Sequence, residues 1–235
     1  MRVNPPPSQS ARPSAGPAPQ LASPLRTPRA AALAGIVFSV LLIVSLVLLR
    51  ISTPADPASP GEWLKDPAHR TAVSVGLNLV PFAGIAFLWF IGVVRDRIGQ
   101  HEDRFFATVF LGSGLLFVGM LFVAAALAGG LTAALPRSSG APGAGTLTLG
   151  RNATAALLNV YAMRMAAVFT LTTVTIARRT KIIAPWLRVA GVVTALLLLV
   201  GVGISAWVEL LFPVWILALS IDIIAAREVR TGRAA

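Results

Sequence analysis

The chain has 235 residues, 56% of them hydrophobic and only 12% charged, with a mean hydropathy of +0.78, whereas a soluble domain carries about a quarter charged residues. Its net charge of +11 comes from arginines that lie between apolar runs and in the two tails. That placement argues for anionic lipid headgroups as partners and against nucleic acid, which would call for one basic face with interleaved aromatics. There is no cysteine, so disulfides, thiolate metal sites and cysteine nucleophiles are excluded.

Residues 1–29 hold Pro, Ser, Ala and four arginines but few large apolar side chains, and read as a disordered cytoplasmic tail. The apolar run 30–49 exceeds the roughly 7 to 15 residues of a signal-peptide core, so an uncleaved signal anchor is expected. Further apolar runs at 71–94, 105–128 and 152–177 each have the ~20 residues that a helix needs to cross about 30 Å of hydrocarbon. The stretch 186–226 is too long for one helix and is interrupted by GISAWVELLFP, which carries Trp207, Glu209 and Pro213. It divides into spans at 186–205 and 209–226 joined by a tight turn. The expectation is an all-α polytopic membrane bundle of six transmembrane helices over 30–226, with the first span at 30–50 and a basic tail at 227–235. The connections 51–70 and 129–151 are rich in Gly, Pro and Ser and read as loops, although LTAAL at 131–135 prolongs the third apolar run.

Basic residues set the orientation. With the N-terminus inside, the cytoplasmic segments hold Arg2, Arg12, Arg26 and Arg29, then Arg95, Arg97 and Arg104, then Arg178, Arg179, Lys181 and Arg188, then Arg227, Arg230 and Arg233. The outer segments hold only Arg50, Lys65, Arg70, Arg137 and Arg151. This asymmetry places both termini in the cytoplasm. Lysine occurs only at Lys65 and Lys181 while arginine, alanine and proline abound, a bias associated with GC-rich bacterial genomes, so the membrane expected is a bacterial inner membrane.

Glycines at Gly76, Gly84 and Gly92, and at Gly112 and Gly119, recur at spacings that align them on helix faces and suit close packing of helices. The inner loop RDRIGQHEDRFF contains His101 and three carboxylates but lacks the second histidine of an H-E-x-x-H site, so it reads as a solvated loop. No Gly-rich phosphate loop, serine elbow or pair of carboxylates at catalytic spacing occurs in the spans. No catalytic residue, metal or cofactor is expected.

The stretch ARRTKIIAPWLR, with Arg179, Thr180, Pro185, Trp186 and Leu187, resembles an R-T-x-x-x-P-x-W-L type of loop in uncharacterised actinobacterial multi-pass membrane proteins. With AMRMAAVF upstream, the resemblance covers about residues 160–190. It departs in spacing, since Pro185 and Trp186 are adjacent. It implies the multi-pass architecture and no activity.

One arginine stands apart. Arg164 lies near the middle of the fourth apolar run, where an unpaired charge costs from about 2.5 kcal/mol upward. At α-helical spacing it shares a stripe with Thr154, Tyr161, Val168, Thr172 and Thr175, which predicts a face turned into the bundle. Asp222, about 20 Å inward from the outer end of its span at 1.5 Å per residue, matches its depth and is the expected partner; Glu209, nearer the outer end, is the alternative. Two functions fit: a non-catalytic accessory subunit that binds another membrane protein or a second copy, and a small transporter with Arg164, Asp222, Tyr161 and Asn159 along an anion or proton route.

Overall fold

The computed structural model describes residues 28–52, 66–98, 104–134, 144–180, 183–201 and 206–231, and among these every regular element is a helix. The tail expected to be disordered, the histidine of the inner loop and residues 135–143 of the 129–151 connection lie outside the described residues, though Pro28 and the residue after it already belong to the first helix.

Six helical rods follow one another. The first three are α1 (Pro28–Ser52), α2 (Pro67–Ile98) and α3 (Arg104–Ala134). The fourth is continuous: α4 (Ala144–Ala155) passes through a π-helical segment (Ala156–Ala162) into α5 (Met163–Thr180). Then come α6 (Pro185–Val200), a 3-10 turn (Ala206–Leu210) and α7 (Leu211–Thr231). The starts follow local rules. Pro67 and Pro185 occupy first helical positions, where a missing N–H costs nothing. The Asp66 carboxylate accepts the Ala68 N–H at 2.9 Å and caps α2. Pro213 falls in the first turn of α7 for the same reason.

Five stretches are long and apolar enough to cross a membrane: Ala30–Ser52, Pro67–Arg95, Phe105–Ala133, Thr148–Arg178 and Trp207–Ala225. The 16-residue α6 is shorter, about 24 Å at 1.5 Å per residue. Its Leu187 carbonyl accepts the Trp215 indole N–H at 3.1 Å, and Gly201 near its end lies beside Val208. It therefore runs antiparallel to α7, along the stretch from Asp222 back to Val208.

Each rod packs on the next, and α7 returns to α1, so the six close into a ring. Inside it, each of the five long rods contributes a phenylalanine: Phe38, Phe87, Phe117, Phe169 and Phe212, all fully buried. Phe87 is the hub, with ring centroids 4.5 Å from Phe38, 5.3 Å from Phe117, 5.1 Å from Phe169 and 5.7 Å from Phe212. Most of these pairs are tilted or edge-on, which the ring quadrupole favours. At the rim, a Cβ on Gly76 would press on the Ser45 carbonyl oxygen and Leu49, and the Ser45 hydroxyl donates to the Gly76 carbonyl at 2.7 Å. Glycine there lets α1 and α2 touch backbone to backbone.

The spacing argument for glycine holds only in part, because Gly92, Gly112 and Gly119 face open space. Boundaries shift as well. LTAA joins α3, the fourth rod begins eight residues before the expected 152, and α7 takes in residues 227–231 that were read as tail.

Replacing the hub is expected to cost more than replacing a lipid-facing ring. Phe87→Ala should lower stability by about 3 kcal/mol, the lower end of the range for buried phenylalanine because lipid already solvates the unpacked ring. Phe82→Ala, 62% exposed, should change the thermal midpoint in detergent little. Equal losses would show that the rings do not hold the bundle.

Candidate functional site

Arg164 lies near the midpoint of the Thr148–Arg178 stretch, but on the outward face of α5. Met163, Ala166, Ala167 and Phe169 are buried, while Arg164 and the 55%-exposed Tyr161 point away from the ring. The guanidinium donates to the Val160 carbonyl at 3.3 Å, one turn toward the helix N-terminus. Side chains lean that way along a helix, so the charge reaches toward the end where α2 begins.

The stripe that predicted an inward face is not one face. Across the π segment the Met163 N–H reaches the Leu158 carbonyl five residues back, and this wider turn breaks the 3.6-residue phase of the preceding α4. Within α5 the polarity of the threonines is internal: the hydroxyls of Thr170, Thr172, Thr173 and Thr175 each donate to the carbonyl four residues back, at 2.7–2.8 Å. Such threonines need no water and mark no cavity. Asn159, in the π segment, has its Oδ1 enclosed with no hydrogen-bond partner among the described residues.

Asp222 does not meet Arg164. Phe169 and Phe212 face each other at 6.1 Å; from that level Arg164 lies five residues toward one end and Asp222 ten residues toward the other. At 1.5 Å per residue the two are on the order of 20 Å apart along the axis. The expected starts of the two spans, 152 and 209, are not level: they lie 17 residues before Phe169 and three before Phe212. Asp222 instead accepts the Ala184 backbone N–H at 3.3 Å, holding the turn that enters α6. Ala184 has extended backbone and receives no cap from its own side chain, so α7 supplies the oxygen.

The ion pair among the described interior residues is Arg50–Glu209, at 3.5 Å. Arg50 lies in the last turn of α1, and Glu209 sits in the 3-10 turn before α7. Glu209 is therefore an interior residue as expected, with Arg50 as its partner in place of Arg164. Leu46, Trp207 and Leu210 surround the pair. The two sides differ in access to water: the Glu209 side chain is 9% exposed and that of Arg50 is 40% exposed.

Among the described residues no group of three or more His, Asp or Glu side chains converges on a metal-sized site. Of the candidate site residues, Glu209 and Asp222 hold the structure together, through Arg50 and the Ala184 N–H, whereas Arg164 turns away from the ring. No family model, curated protein or solved structure matches the chain.

Because Glu209 is the more enclosed partner, losing Arg50 strands a buried charge, whereas losing Glu209 leaves an arginine that can reach water. Arg50→Met is expected to lower the thermal midpoint in detergent more than Glu209→Gln, and the double variant should recover part of the Arg50→Met loss. A larger loss for Glu209→Gln, or strict additivity, would remove the pair as a tie between α1 and α7.

Proposed function

We propose that the chain is a non-catalytic inner-membrane protein of six spans with both termini cytoplasmic, and that it acts as an interaction subunit through the outward face of α5 around Arg164. The observation that carries this reading is the direction of Arg164. A permanent charge near the middle of an apolar stretch, turned away from its own bundle and bonded to one carbonyl of its own helix, has no counter-charge among the described residues. Its cost, from about 2.5 kcal/mol, falls when a neighbouring helix brings a carboxylate.

A second copy fits that role poorly. An isologous contact centred on Arg164 would bring two Arg164 side chains together. Of the chain's own described spanning carboxylates, Glu209 is enclosed beside Arg50 and Asp222 lies at another depth. The partner is a different membrane protein with an acidic residue in its span. Six crossings are supported by the antiparallel run of α6 against α7, and the orientation by the arginine asymmetry. The resemblance of residues 160–190 to actinobacterial multi-pass proteins accords with the same architecture. The transporter reading has less behind it, because rings from five rods fill the axis of the bundle and the α5 threonines are satisfied within their own helix.

The absence of native cysteine makes topology testable with single substitutions. Ser139→Cys is expected to react with an impermeant maleimide in intact cells; reaction only after the membrane is opened would invert the orientation. A photo-crosslinking residue at Tyr161 should give one discrete protein adduct in native membranes. Arg164→Leu should abolish that adduct while leaving the thermal midpoint of the purified chain unchanged. Adducts to lipid alone, or an adduct indifferent to Arg164→Leu, would sink the interaction reading.

A further inference from the structure

A groove of about 670 Å³ opens between the outer halves of α2 and α3. The α2 wall carries two ridges at four-residue spacing: polar Arg70, Ser74 and Asn78, and apolar Val73, Leu77 and Pro81. The α3 wall is shallow because it is built from small residues such as Gly129, and Phe122 closes the end farther from Arg70. The groove is thus graded along its length. Arg70 stands in the first turn of α2, roughly 25 Å from the Phe87 hub at 1.5 Å per residue, and the walls turn apolar toward that hub. The Arg70 side chain is exposed, and among the described residues its guanidinium has no partner. Ser74 and Asn78, one and two turns below, are exposed too; the Asn78 amide donates to the Ser74 carbonyl at 2.8 Å and reaches the Ser74 hydroxyl oxygen at 3.5 Å, so the Ser74 hydroxyl accepts there and keeps its own hydrogen to donate outward.

A cation at the headgroup level, hydroxyl and amide donors beneath it and an apolar slot below those follow the order of groups in a glycerophospholipid: phosphate, ester carbonyls, acyl chain. We propose that this groove binds one anionic phospholipid of the outer leaflet, with its phosphate on Arg70, its ester carbonyls at Ser74 and Asn78 and an acyl chain against Pro81 and Phe122. The inference rests on the membrane-spanning reading above. It commits to lipid because a free phosphate has no use for the apolar slot, and to an anionic headgroup because a cationic headgroup would need an acid and the nearest described one, Asp66 just before α2, already accepts the Ala68 N–H and lies 3.4 Å from the His69 ring nitrogen.

The test uses the full chain, delipidated in mild detergent and titrated by native mass spectrometry with phosphatidylglycerol and with phosphatidylcholine of the same chains. Wild type is expected to retain one phosphatidylglycerol at a concentration at least about tenfold below that needed for phosphatidylcholine, because both bring a phosphate to Arg70 but choline adds a cation that Arg70 repels. Arg70→Gln should reduce phosphatidylglycerol to the phosphatidylcholine level at an unchanged thermal midpoint. Gly129→Leu, whose new side chain enters open space, should weaken both. Glycerol phosphate should not compete. Equal retention of the two lipids by wild type, a preference that survives Arg70→Gln, or displacement by glycerol phosphate would each overturn the proposal. Alkaline extraction of native membranes separates this from the parent reading: a chain released into the supernatant is not membrane-spanning, whereas one that stays with the pellet and shows no preference defeats the lipid site alone.

Discussion

Five phenylalanines from five rods meet at one level, and the rest of the arrangement depends on that meeting. In lipid, apolar residues gain little by leaving their solvent, so burial does not by itself say which helices touch. Shape and dispersion decide. Phe87 touches the rings of α1, α3, α5 and α7, and thereby fixes the relative height of rods that are far apart in sequence. Heights determine which polar groups can reach each other: Glu209 is brought within reach of Arg50, and Asp222 within reach of the turn into α6. The α6 rod contributes no ring and is held at its edges, by the Trp215 indole on its Leu187 carbonyl and by Gly191 lying against Val174 and Trp215.

How much of this is legible in the sequence follows from the same solvent argument. The apolar runs are long, so five stretches and the hairpin after Pro185 are visible from length and proline alone. Ends are less visible, because Ala, Leu and Gly continue a helix past the hydrocarbon limit, as LTAA does in α3. The facing of a helix is least visible. In water an apolar stripe points inward, but here apolar Met165, Val168 and Leu171 are only half-buried, and a threonine that bonds its own turn is buried at Thr172 and half-buried at Thr175. The stripe through Arg164 therefore carries no direction. The π segment is hidden too: ALLNVYA contains neither Gly nor Pro to announce it.

The Arg50–Glu209 pair shows what remained within reach. Arg50 falls at the end of its apolar run and Glu209 at the start of its own, so alternation along the six rods already puts them at the same end of the bundle. Depth counted from the nearest boundary carries a small error there. For Arg164 and Asp222 the count crosses most of a span, and misplaced ends of the rods separate two residues that appear level.

The π segment also divides the fourth rod into two parts with independent azimuths. An α-helix turns about 100° per residue, so each residue added or removed within 156–162 swings α4 about the common axis relative to α5. Gly150 of α4 packs against Leu131 of α3, and Phe169 of α5 packs against Phe110 of the same helix. Both contacts are made at once only because the wide turn absorbs the angular mismatch between them. For evolution the segment is a joint: a single-codon insertion or deletion there re-aims the outer portion of the rod while the ring of phenylalanines below stays assembled.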